Sequence, residues 1–98
     1  MARLIYSEVA LHDLERLADF LATSDAKAAS GTIGLIAGAI GMLADHPLVG
    51  RPLDDALREL IISRGRTGYV ALYSYESAFD TVLILTVRHQ REAGHMDE

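Results

Sequence analysis

The period of apolar and polar positions changes once along this chain, and the change divides it in two. Leu4 to Ser7 read as a short strand. Apolar positions then recur at helical spacing, with Leu14, Leu17, Ala18 and Leu21 on one face and His12, Asp13, Glu15, Arg16 and Asp19 filling the other. Ser7 is placed to cap this first helix, which the spacing predicts from Glu8 to about Ala22. Thr23-Ser24-Asp25 interrupts it. Asp25 can cap a second helix that runs to about Ala44 and stops ahead of His46-Pro47. So short a link predicts an antiparallel helical hairpin.

In the second helix Ile33, Ile36, Ile40 and Leu43, with Ala37 and Ala44, make a core stripe. Gly31, Gly34, Gly38 and Gly41 make another, at spacings of 3, 4 and 3, with Leu35 and Met42 beside it. Each glycine costs about 1 kcal/mol relative to alanine inside a helix, so an offsetting contact is expected. Two contacts would supply it: close packing on the first helix, or a docking groove that receives a partner segment.

Pro47 to Ala56 is a loop carrying Gly50 and Pro52, and beyond it the period is two. Arg58 to Ile62 reads as a strand with Leu60 and Ile62 on one face, followed by a turn, Arg64-Gly65-Arg66-Thr67-Gly68. Tyr69 to Tyr75 is a second strand, with Tyr69, Tyr73 and Tyr75 on one face and Val70 and Leu72 on the other. Glu76 to Asp80 turns into Thr81 to Val87, whose near-continuous apolar content predicts a central strand. The order β-α-α-β-β-β predicts one α+β domain over residues 1–98. In it a helical hairpin packs on a small, mainly antiparallel sheet.

Composition narrows the function. A chain of 98 residues, half of them apolar, can bury a core and is not disordered. Without cysteine it has no disulfide framework and no thiolate metal site, which suits a reducing cytosol. Nine Lys and Arg against fourteen Asp and Glu exclude a general nucleic-acid coat and leave room only for a local basic patch. The first residues reach Glu8 before any apolar run typical of a signal peptide. Ala28 to Ala44 is uncharged, but its small residues and lack of a basic flank point to a buried helix, so no membrane partner is expected.

The charges are segregated. Residues 1–50 hold three bases against six acids, whereas residues 58–91 hold five Arg against three acids. If the last turn centres near Ala78, Val87 faces Tyr69 and Arg88 lies near Gly68. If the preceding turn centres near Arg66, Arg58 falls beside Ser74 at the far end. Arg64, Arg66, Arg88, His89 and Arg91 then gather at one end of the sheet, either as an anion-binding site or as a solvated rim. The four histidines have no metal-ligand spacing, and no P-loop or dinucleotide fingerprint is present, so no metal and no cofactor is expected. Any chemistry would fall to Arg, His and Tyr, which can stabilise a phosphorane and move protons.

Several segments, in order, carry a family pattern. They are Leu4-Ile5-Tyr6-Ser7 with the helix to Leu21, the loop Asp45-His46-Pro47-Leu48-Val49-Gly50-Arg51, and Arg58-Glu59-Leu60. Gly68 with Tyr69-Val70-Ala71-Leu72-Tyr73 follows, then Val82-Leu83-Ile84-Leu85 and Val87-Arg88-His89-Gln90-Arg91-Glu92-Ala93-Gly94. Together they resemble the RelE/ParE family of toxins from bacterial type II toxin–antitoxin systems, also known as plasmid stabilisation proteins.

The resemblance implies a cytoplasmic toxin in a hetero-oligomer with a cognate antitoxin, whose C-terminal segment wraps it. The docking face it implies is the helical hairpin, here Gly34, Leu35, Gly38, Gly41 and Met42. ParE-like members poison DNA gyrase without established nuclease chemistry, and in that reading the Arg patch and tail contact gyrase. RelE-like members cleave mRNA on the ribosome. In that alternative Arg64, Arg66, Arg88 and Arg91 hold RNA phosphates, and His89 or His95 takes the proton. His95 stands where relatives commonly carry Tyr, which with the net acidity favours the ParE-like growth inhibitor. A non-toxic adaptor domain is the third reading.

Overall fold

The computed structural model describes residues 1–64 and 67–90. Strand β1 (Arg3–Tyr6) runs straight into helix α1 (Glu8–Ala22) through Ser7. Ser7 keeps an extended backbone, and its hydroxyl accepts from the Ala10 N–H at 3.0 Å. Asp25 caps α2 (Ala26–Gly41) in the same way, its carboxylate accepting from the N–H groups of Lys27 and Ala28. Each cap satisfies donors that the first helical turn leaves without partners. A 3₁₀ turn, Met42–Ala44, carries the helical segment to its predicted end.

Four further strands follow: β2 (Arg51–Pro52), β3 (Leu57–Arg64), β4 (Thr67–Glu76) and β5 (Thr81–His89). The sheet order is β1-β5-β4-β3-β2, with β1 and β5 parallel and the remaining pairs antiparallel. The architecture is the expected α+β pairing of a helical hairpin with a mainly antiparallel sheet. β2 is an addition within the segment read as a loop. Its Arg51 pairs with Glu59 in register and by an ion pair, and Pro52, which has no N–H to give, sits at the sheet edge. β5 is flanked on both sides, as its composition requires, but lies next to the edge strand β1 rather than mid-sheet.

The core forms between the hairpin and one face of the sheet. Ile36, Ile40 and Leu43 meet Tyr73, Val82, Ile84 and Val87, and all are fully buried. The loop before β2 is fastened to this core by two side chains. The Tyr73 hydroxyl donates to the Pro47 carbonyl and accepts from the Gly50 N–H, each at 2.8 Å. Arg58 Nη1 donates to the carbonyls of Leu48 and Gly50 at 2.9 and 2.8 Å. Gly50 is required here, because a Cβ would stand 2.5 Å from the Tyr73 hydroxyl.

Two side chains lie on the opposite side from that expected. Ala37, assigned to the core stripe, is exposed, because the stripe that packs runs through Ala29, Thr32, Ile36 and Ile40. Asp13, assigned to the polar face of α1, is buried, because it lies in line with Ala10 and Leu17. The α2 segment with its 3₁₀ turn is long and apolar enough, by length and composition alone, to cross a membrane. In this fold its inner face belongs to the core.

Replacing Tyr73 by Phe strands the buried Gly50 N–H. The expected loss is about 1–3 kcal/mol, read as a lower urea midpoint at unchanged denaturant slope.

Candidate interaction surfaces

Among the described residues the outward side of α2 is left open at its glycines. At about 100° per residue the glycines fall diametrically opposite Ile36 and Ile40. Gly31, Gly34, Gly38 and Gly41 are all exposed, and a Cβ added at Gly34, Gly38 or Gly41 would meet nothing within 4 Å. Close packing on α1 is therefore not what the stripe is for: the hairpin packs through other residues. Leu35 and Met42 lie side by side along one edge of the stripe at 40% and 39% exposure, so that edge is apolar. The five residues expected to receive a partner lie together on one open face.

The basic end is arranged differently from the hairpin arithmetic. Val87 pairs with Ala71 rather than Tyr69, Arg88 with Val70 rather than Gly68, and His89 with Tyr69. Arg58 pairs with Tyr73 rather than Ser74. The β4–β5 turn is centred later than Ala78, and β5 also carries one extra residue. Tyr73 pairs with Ile84 but Leu72 pairs with Thr86, so Leu85 is bulged out of the ladder. Beyond the bulge, alternation puts Val87 in the core and Arg88, with Val70, on the uncovered face. His89 falls on the helix-covered side, its ring edge-on to Tyr69 at a centroid distance of 5.3 Å. Arg88 and His89, expected to act together, thus belong to opposite faces of the sheet. Arg64 closes β3 opposite Thr67, while Arg66, Arg91 and His95 lie outside the described residues.

The bulge is held from α1. Ser7 N–H donates to the Ile84 carbonyl at 2.9 Å, and its hydroxyl donates to the Leu85 carbonyl at 2.9 Å. One turn and a half further on, Asp13 Oδ2 accepts from the buried Val87 N–H at 2.9 Å. Neither role was foreseen from sequence. The signal for Asp13 is its place three residues after Ala10 and four before Leu17, inside the buried stripe.

Two tyrosines are shifted from their ordinary ionisation. Tyr75 is raised chiefly because its hydroxyl donates to Asp80 Oδ1 at 2.7 Å, and Tyr6 is raised by burial. Both are held protonated more firmly than free tyrosine, and neither pairs with the strand end that carries Arg88 and His89. Among the described residues no three His, Asp or Glu side chains gather as a metal would require.

A helical hairpin thus covers one face of a five-stranded, mainly antiparallel sheet, and among the described residues the outer side of α2 is left open. Residues 4–94 match the family described as ParE toxin of type II toxin–antitoxin system, parDE, and the chain belongs to that family. It is 36% identical over 83 residues to Toxin RelE3 of Caulobacter vibrioides, covering 85% of this chain and 88% of the relative. The toxin–antitoxin complex RelBE2 from Mycobacterium tuberculosis aligns with TM-score 0.57 at 28% identity, over 90% of this chain and 96% of that one. The chromosomal ParDE system from P. aeruginosa shares the fold, with TM-score 0.74 at 18% identity over 91% and 96% of the two chains.

Because the glycine face is open, Gly38→Ala is expected to raise the stability of the isolated chain by about 1 kcal/mol. The check is a urea melt. A loss of stability would mean that the chain itself covers this face.

Proposed function

We propose that this chain is the growth-inhibiting component of a type II toxin–antitoxin module, silenced when a cognate antitoxin lies along the outer face of α2. The observation that carries this is the exposed stripe of Gly34, Gly38 and Gly41, with Leu35 and Met42 along one side of it. Four glycines in one helix reduce its stability, and at Gly34, Gly38 and Gly41 no described residue stands within 4 Å of an added Cβ to offset that cost. A partner segment that approaches the bare backbone closely would offset that cost, and the solved relatives named for toxin–antitoxin pairs support such a partner.

Between the two modes of inhibition we favour the ParE-like one, in which the toxin blocks DNA gyrase and catalyses nothing. General acid–base cleavage of RNA needs a proton-transfer group and a phosphate clamp on the same reacting group. Here Arg88 and His89 alternate to opposite faces, and the net charge of -5 opposes a ribosomal target. Residues Arg64, Arg66 and Arg91, with Arg88, are then target contacts, and His95 has no proton to move.

The test is expression without antitoxin. Growth arrest with gyrase–DNA adducts and intact mRNA is the expected result. Codon-phased mRNA cuts would overturn the ParE-like mode, and absence of any growth effect would favour an adaptor. For the docking face, Gly38→Leu is expected to weaken antitoxin binding by about 2 kcal/mol or more, roughly thirtyfold in Kd, in a still-folded protein. Unchanged affinity by calorimetry would remove α2 from the interface.

A further inference from the structure

We propose that Asp13 and Ser7 are positioning residues: they hold the one-residue bulge in β5 that turns Arg88 onto the uncovered face of the sheet. The proposal rests on the reading of Arg88 as a target contact only for its functional consequence; the structural part stands on its own geometry.

A strand alternates its side chains strictly, so one inserted residue reverses every facing beyond it. Continuing the Tyr73–Ile84 register without the bulge would place Thr86 opposite Ala71, Val87 opposite Val70 and Arg88 opposite Tyr69. Thr86 would enter the core in place of the fully buried Val87, and Arg88 would be turned toward the helix-covered side. Burial of Val87 favours the bulged register, but that register creates a difficulty. β1 ends at Tyr6, and a regular parallel neighbour repeats its bonds every two residues, which a bulge interrupts.

Two backbone groups of β5 at the bulge, the Leu85 carbonyl and the Val87 N–H, are bonded by side chains instead of a strand. A hydroxyl and a carboxylate from the start of α1 meet them at 2.9 Å each. Side chains can follow an irregular strand where a regular backbone ladder does not. The carboxylate is also an unusual choice for a position only 9% exposed. Acceptor chemistry, rather than packing, accounts for an acid in the apolar stripe of α1.

The chain has no cysteine, so single-cysteine labelling reads the strand end directly. Val87→Cys reports the clamp, and Ile36→Cys, equally buried on α2, reports global opening. In an Asp13→Ala background, maleimide labelling of Val87→Cys is expected to rise about tenfold or more while Ile36→Cys stays protected. Asp13→Asn, which keeps an acceptor oxygen, should restore protection. Ser7→Gly is the milder second variant: glycine retains most of the helix-cap preference but cannot bond Leu85, so a smaller rise in the same direction is expected.

In cells, growth inhibition should fall with Asp13→Ala and return with Asp13→Asn, antitoxin binding being unchanged throughout. Protection of Val87→Cys that persists in both clamp variants, or labelling of Ile36→Cys that rises in parallel, overturns the proposal. Arg88→Ala separates the two readings. If it leaves toxicity intact, Arg88 is not a target contact, and the labelling result still decides whether the clamp exists.

Discussion

The parallel pairing of β1 with β5 is the constraint on which the rest of this fold depends. It joins Arg3–Tyr6 to Thr81–Ile84, nearly the full length of the chain apart. Once the two strands lie side by side, the helical hairpin must cover one face of the sheet and leave the other open. The pairing is short, and it stops where α1 begins. Ser7 stands at that junction with four bonds: its N–H to Ile84, its hydroxyl to Leu85, its hydroxyl oxygen accepting from Ala10 and its carbonyl accepting from Leu11. The same residue therefore ends a strand, starts a helix and fixes a bulge.

A second fastening starts from Tyr73 on β4, the residue paired with Ile84. Tyr73 is fully buried, yet its hydroxyl reaches the loop backbone at Pro47 and Gly50, and Arg58 on the paired strand binds the same loop. Polar groups inside the core are here fully used, since no described buried side-chain nitrogen or oxygen lacks a partner. This segment is also one of the pieces by which the family can be recognised, and the geometry gives the reason. Gly50 leaves space for a tyrosine ring, and any larger residue would collide with it.

The two working surfaces show contrasting physics. On α2 stability is given up through glycines, and at Gly34, Gly38 and Gly41 no described residue fills the space outside them, a cost that the proposed antitoxin contact would offset. On β5 stability and presentation coincide, because the register that buries Val87 is the register that exposes the face carrying Arg88. The proposed antitoxin face on α2 and the face of β5 that carries Arg88 are on different sides of the molecule's single described sheet.

Much of this was readable along the chain. Caps at Ser7 and Asp25 placed both helices, the two-residue period placed the strands, and the ordered segments placed the family. The face of each tyrosine in β4 followed from alternation alone. Local signals suffice for such features because caps and periodicity involve neighbours within a few residues. The rest needed contacts from far away. Ala37 and the glycines are too small to declare a side, so only the packed hairpin decided that the stripe is bare. Asp13 looked like solvent-facing charge until Val87, 74 residues distant, supplied the N–H it accepts from. The bulge at Leu85 depends on whether Thr86 or Val87 fits beneath the helices, and on acceptors provided by α1. The sequence by itself therefore determined the two helices, four of the five strands and what kind of protein they build, while β2 needed its partner Glu59. The tertiary structure decided register, and with it the face on which Arg88 stands, because register is set by what each strand must bury and not by the strand's own residues.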